Sequence, residues 1–135
     1  ETVAGLRVEM QKIMQDHCGV YRTEALLKEG LELLDKVEAR LPDAALSDQS
    51  KMFNTARLEA LELENLMGIA RATLVSALAR TESRGAHTRE DHPKRDDDQW
   101  LRHTLYFREN DTLDYKPVRL KPLTVETFQP KERTY

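Results

Sequence analysis

The sequence predicts an all-α fold: a three-helix bundle over residues 1–85, then a charged loop, a candidate short β-hairpin and an extended C-terminal tail over residues 86–135. Three observations predict it. Apolar residues recur at spacings of three and four through three successive stretches, the repeat that puts a stripe on one helix face. Cap and stop residues (Gly19, Thr23, Pro42 and Ser47-Asp48) separate those stretches. After Gly85 apolar residues almost vanish until Trp100, so the helical pattern ends there.

The first helix runs roughly from Val3 to His17, with Val3, Leu6, Met10, Ile13 and Met14 on its stripe and Gly19 as its stop. The second starts at Thr23, an N-cap residue, with Glu24 favourably placed in the first turn. Leu27, Leu31, Leu34, Val37 and Leu41 share one face, and Pro42 ends the helix. Gly30 lies inside it at a cost of ~1 kcal/mol against alanine, which suggests a close helix crossing. The third helix is expected after the Ser47-Asp48 cap region and runs to about Arg80 or Ser83. Its ~33 residues would span ~50 Å. Phe53, Ala56, Ala60, Leu63, Met67, Ala70, Leu74, Ala77 and Leu78 mark its buried side. Leu58, Leu61, Leu66 and Ile69 widen the apolar arc, as in a helix that touches two partners.

Beyond the charged segment, Thr104 to Arg108 reads as a strand and Asn110-Asp111 as a turn. Tyr115 to Lys121 is the candidate return strand, which Pro117 and Pro122 confine to an edge. Thr124 to Tyr135 has little periodicity and needs a surface on which to become ordered.

With 135 residues the chain has one domain's worth of sequence, too little for a dinucleotide domain plus a substrate domain. A net charge of −3 argues against nucleic acid as a partner. No apolar run approaches the ~20 residues of a membrane span, so direct membrane insertion is not expected. The single cysteine, Cys18, forbids an internal disulfide. The start at Glu1-Thr2-Val3, without an initiator methionine, reads as a cut from something larger.

The charged segment carries the chemistry. Arg84, Arg89, Arg95 and Arg102 alternate with Glu90, Asp91, Asp96, Asp97 and Asp98. Arginine offers a rigid fork of donors for carboxylates, so the segment is either a folded ion-pair network or a solvated loop. Gly85 can take positive φ and turn the chain after the helix. Three of the four histidines, His87, His92 and His103, lie here, but their spacing matches no zinc pattern, and structural hydrogen bonding is the stronger reading. No metal site is assigned. Ser83, near His87 and Asp91, lacks the strand-turn-helix context of a nucleophile elbow. Cys18 beside His17 reads as a buried cysteine at a helix end rather than an activated thiol. The five glycines are scattered and form no phosphate-binding loop.

The run Arg80-Thr81-Glu82-Ser83-Arg84-Gly85-Ala86-His87, with Arg89-Glu90-Asp91, Pro93, Arg95-Asp96-Asp97, Trp100-Leu101 and His103-Thr104-Leu105, closely resembles the signature of succinate dehydrogenase and fumarate reductase flavoprotein subunits. Gly19-Val20-Tyr21-Arg22-Thr23, Phe53-Asn54-Thr55-Ala56-Arg57 and Leu61-Glu62-Leu63-Glu64-Asn65-Leu66 resemble the same family, as does the ending Lys131-Glu132-Arg133-Thr134-Tyr135. The resemblance implies a spectrin-repeat-like three-helix bundle with an extended tail. It also implies an intact subunit whose flavin and capping domains, absent here, carry covalent FAD and the dicarboxylate pocket. No catalytic or cofactor-binding residue of that family matches a position in this chain.

The resemblance implies that this domain packs against the flavin domain, and our hypothesis is that the charged segment is the clamp between them, formed by Glu82, Arg84, Gly85, His87, Arg89, Asp91, Arg95, Asp96, Asp97, Trp100 and His103. Detached from that surface, the loop is expected to be either mobile or held only by neighbouring molecules. The implied partners are the flavin domain of the same chain, an iron–sulfur subunit and membrane-anchor subunits. The implied place is peripheral, on the cytoplasmic face of a bacterial inner membrane or the matrix face in a mitochondrion. Exposed apolar surface on the third helix makes self-association of the isolated domain a further expectation. Two alternatives stand beside succinate dehydrogenase: the C-terminal domain of a quinol-linked fumarate reductase or L-aspartate oxidase, and a non-catalytic helical interaction module.

Overall fold

The computed structural model describes residues 1–131. Three helices form an up-down-up bundle: α1 (Val3–His17), α2 (Glu24–Glu38) and α3 (Thr55–Ala79). Each N-terminus is capped by its own side chain. Gly5 N–H donates to Thr2 Oγ1 at 3.1 Å, Leu26 N–H to Thr23 Oγ1 at 3.3 Å and Arg57 N–H to Asn54 Oδ1 at 2.8 Å. The predicted stripes meet in one core, where Leu6, Leu27, Leu34, Val37, Leu63 and Leu74 are fully buried. Burying a side chain of this size stabilises by about 1.5–3 kcal/mol. Gly30 marks the close crossing. A Cβ there would lie 2.7 Å from His17 Cβ and 3.1 Å from Leu74 Cδ2.

Two expectations about the third helix are corrected. It begins at Thr55, not after Ser47-Asp48, and its 25 residues make it shorter than expected. Asp48 accepts instead from Ser50 N–H at 2.7 Å. The Asn54 amide donates to the carbonyls of Asp48 and Ser50 at 2.9 and 2.8 Å, which closes a loop in front of the helix. Phe53, assigned to the buried side, stands 96% exposed with φ at +50°. A side-chain cap displaced the helix start, and the aromatic ring went with the loop. Leu58, Leu61, Leu66 and Ile69 are exposed on the outer face of α3. Among the described residues no helix is long and apolar enough to cross a membrane.

Tyr21–Arg22 forms a two-residue strand, β1, parallel to β2 (Thr88–Arg89), a pairing the sequence did not announce. A single helical turn, α4 (Asp97–Trp100), follows the charged loop. The hairpin consists of β3 (Arg102–Phe107) and β4 (Thr112–Pro117), paired antiparallel from Arg102 opposite Pro117 to Phe107 opposite Thr112. Its return strand therefore starts earlier than the expected Tyr115, because Asn110 and Asp111 take φ of +66° and +51° and reverse the chain at once. Arg71 on α3 ties this turn down. Its Nε donates to both Asp111 oxygens at 2.9 Å, its Nη2 lies 2.8 Å from Asp111 Oδ2, and its Nη1 pairs with Asp35 and, at 3.4 Å, Glu38 on α2. The chain-end motif lies, past Lys131, outside the described residues.

Candidate functional site

The last turn of α3 leaves carbonyls without helical partners, a deficit every helix end must meet. Here a side chain from the charged loop meets it. Arg89 is 1% exposed, and its Nη1 donates to the carbonyls of Ala77 (3.1 Å), Leu78 (3.0 Å) and Arg80 (3.4 Å). Its Nε and Nη2 grip both oxygens of Asp91 at 2.7 Å. Asp91 in turn accepts the N–H of Glu24 at 2.9 Å, at the first turn of α2. The pair thus joins the C-terminus of α3 to the N-terminus of α2. The Arg89 guanidinium holds the Asp91 carboxyl far below the usual carboxylate range, with the Glu24 N–H adding to it.

Glu82 is the second centre. It is fully buried, and Arg80 Nη1 donates to it at 2.7 Å, Arg84 Nε at 2.8 Å, Arg84 Nη2 at 3.1 Å and Asp96 N–H at 2.8 Å. Burial pushes its carboxyl up, but the donors from Arg84, Asp96 and Arg80 outweigh burial and leave it below its ordinary value. Arg84 reaches on to Asp97 at 2.6 Å, and Arg95 joins Asp97 at 3.0 Å to the Lys131 carbonyl at 2.7 Å. Asp96 caps α4 through Gln99 N–H at 3.0 Å. Gly85, at φ +59°, makes the reversal that brings Arg84 N–H within 2.8 Å of the His87 carbonyl.

His87 and Ser83 are held by backbone and arginine partners, not by each other. Arg22 Nη1 donates to His87 Nδ1 at 2.9 Å, so Nε2 carries the proton and donates to the Arg80 carbonyl at 3.0 Å. Burial, set against that carbonyl and reinforced by Arg22, Arg89 and Arg80, pulls the His87 pKa below 6.5. Ser83 Oγ accepts from Arg89 N–H at 2.9 Å and lies 2.8 Å from the His92 carbonyl. Neither arrangement makes a nucleophile and base. Cys18 is buried, and burial pushes its thiol up against the pull of Arg22.

Trp100 is buried, with its indole N–H on Thr81 Oγ1 at 3.2 Å and the Arg80 guanidinium 4.9 Å from its ring. His103 is exposed on the outer side of the hairpin, away from the cluster. The structure therefore brings ten of the eleven candidate residues into one folded patch. The loop's arginines find carboxylates and carbonyls within this chain. An open groove of about 980 Å³ runs over the patch, between Arg84, Arg95 and Pro130.

The fumarate reductase flavoprotein C-term family matches residues 7–135. The chain belongs to this family. It is 53% identical over 133 residues to a succinate dehydrogenase flavoprotein subunit of Coxiella burnetii, matching 98% of this chain and 22% of that protein. It is 46% identical to the mitochondrial succinate dehydrogenase [ubiquinone] flavoprotein subunit of Oryza sativa, over 96% of this chain and 21% of that one. The E. coli quinol fumarate reductase FrdA structure superposes with a TM-score of 0.83 at 37% identity, covering 96% of this chain and 23% of that one. The chain spans about a fifth of the length of these relatives.

Flavoprotein membership raises the question of a flavin, and the described residues of this C-terminal domain do not fit one. The five glycines are scattered, and no glycine-rich turn at a helix N-terminus offers N–H groups to a pyrophosphate. Among the described residues no three His, Cys, Asp or Glu side chains converge as metal ligands. Arg22 and Arg80 are the members of the patch that sequence reasoning passed over. Both lay inside quoted motifs. Arg22 meets a histidine and backbone carbonyls, and Arg80 adds the carbonyls of Trp100 and Arg102 to its pairing with Glu82, contacts that charge pairing does not reveal.

Proposed function

We propose that residues 1–85 and 86–135 act as one C-terminal domain of a succinate dehydrogenase flavoprotein subunit. In this reading the whole subunit oxidises succinate to fumarate and passes electrons through FAD and iron–sulfur clusters to quinone. This domain supplies no reacting group and supports the flavin body by docking on it. The proposal extends to an iron–sulfur subunit, membrane-anchor subunits and a peripheral place at the cytoplasmic face of a bacterial inner membrane, or the matrix face in a mitochondrion. One observation carries the choice of direction: identity is 53% and 46% to succinate dehydrogenase subunits, against 37% to a quinol fumarate reductase chain. Fumarate reduction, the same chemistry in reverse, is the second reading, favoured by the superposition on that chain.

Docking is assigned to the Glu82–His103 patch, because its buried pairs hold a charged surface rigid instead of leaving it to fluctuate. The test is made in the full subunit. Arg84→Ala and Arg95→Ala are expected to lower retained flavin and assembly with the iron–sulfur subunit. Unchanged flavin content and succinate oxidation in both variants would refute the assignment. The isolated chain is expected to show no flavin absorbance and no succinate oxidation.

A further inference from the structure

Arg71, Arg80, Arg84, Arg89 and Arg95 each lie within 3.0 Å of a carboxylate oxygen. Arg57, Arg108 and Arg119 are exposed. Arg102 belongs to neither group. Its guanidinium sits 3.8 Å from the Tyr115 ring centroid and 4.8 Å from that of Trp100, and the two rings meet edge to face at 5.6 Å. Its own carbonyl is fixed by Arg80 Nη2 at 2.6 Å. Its Nε is buried without a hydrogen-bond partner, and among the described residues no carboxylate reaches its guanidinium.

We propose that Arg102 is a docking residue, which takes a carboxylate side chain from the body of the flavoprotein subunit. This rests on the docking reading above. Stacking on two rings holds the planar cation in one orientation, so pairing loses little side-chain freedom. The terminal nitrogens form a fork that a carboxylate fills with two charge-assisted bonds. Arginine, tryptophan and tyrosine are the residues that dominate binding energy where surfaces meet. The body of the subunit is the occupant because the chain spans about a fifth of its relatives' length, and among the described residues no carboxylate of this chain pairs with the fork.

The test is amide hydrogen exchange across β3 and β4, in the intact flavoprotein subunit and in the isolated 135-residue chain. Arg102→Met keeps the stem and the contact with the rings but removes the charge and the fork. The wild-type hairpin is expected to exchange more slowly in the intact subunit than alone. Arg102→Met should erase about tenfold or more of that difference while changing the isolated chain little, and Arg102→Lys should fall between. An equal effect of Arg102→Met in both settings would show that the residue only packs the hairpin, and would overturn the proposal while leaving docking intact. Identical wild-type exchange in both settings would overturn docking and the proposal together. A saturable change in Trp100 fluorescence when succinate is titrated into the isolated chain would assign the fork to a free dicarboxylate and overturn the proposal.

Discussion

Arg89→Met tests whether one buried guanidinium joins the charged loop to the bundle. The variant removes the donor to the Ala77 and Leu78 carbonyls at the end of α3 and the two bonds to Asp91. Each buried carbonyl left without a donor costs about 1–3 kcal/mol. Asp91 is 30% exposed and turns to water, so its loss is held to about 1 kcal/mol or less. The methionine recovers about 1–2 kcal/mol by filling apolar space. The net loss is about 3 kcal/mol. Unfolding entropy for a chain of this length is roughly 0.3 kcal/mol/K, so the midpoint should fall by about 10 °C. Thermal unfolding of the isolated chain by circular dichroism measures it, with exposed Arg57→Met as the control. A fall of Arg89→Met no greater than the control's would refute the inference that this side chain closes the helix end.

Three further outcomes are expected. His87 has its folded pKa lowered below 6.5, so the unfolded chain binds the extra proton first. Its contribution is fully present above about pH 6.5 and is lost as pH falls toward the folded value. His87→Gln should flatten that part of the stability profile measured by denaturant titration between pH 5 and 7. Gly30→Ala gains about 1 kcal/mol of helix propensity but sets a Cβ 2.7 Å from His17 Cβ, so a net loss of about 1–2 kcal/mol is expected from chemical denaturation. Cys18, buried with a raised thiol pKa, should react with a disulfide reagent at least about tenfold more slowly in the native chain than in the denatured one.

The bundle was legible because its signals are local. Thr23 capped α2 where it stood, and Leu27, Leu34 and Val37 at helical spacing went to the core. The start of α3 was misread because Asp48 and Asn54 are both cap residues, and only the folded loop shows that Asp48 serves a turn. The charged segment declared its residue types but not its pairs. Arg84 meets Glu82 and Arg89 meets Asp91 two positions away, a spacing that regular helices do not bring together. The parallel pairing of Tyr21–Arg22 with Thr88–Arg89 joins segments more than sixty residues apart, and two-residue strands leave no periodic trace. Phe53 failed for a related reason, since a left-handed backbone turned an apolar residue outward.

The direct measurement of docking is the acetylation of Lys94, an exposed residue within the Glu82–His103 seam. Mass spectrometry would compare its modification rate in the isolated chain and in the intact flavoprotein subunit. Coverage of the seam predicts at least about a tenfold slower reaction in the intact subunit, as for a site that must open before it reacts. Equal rates in the two settings would contradict it.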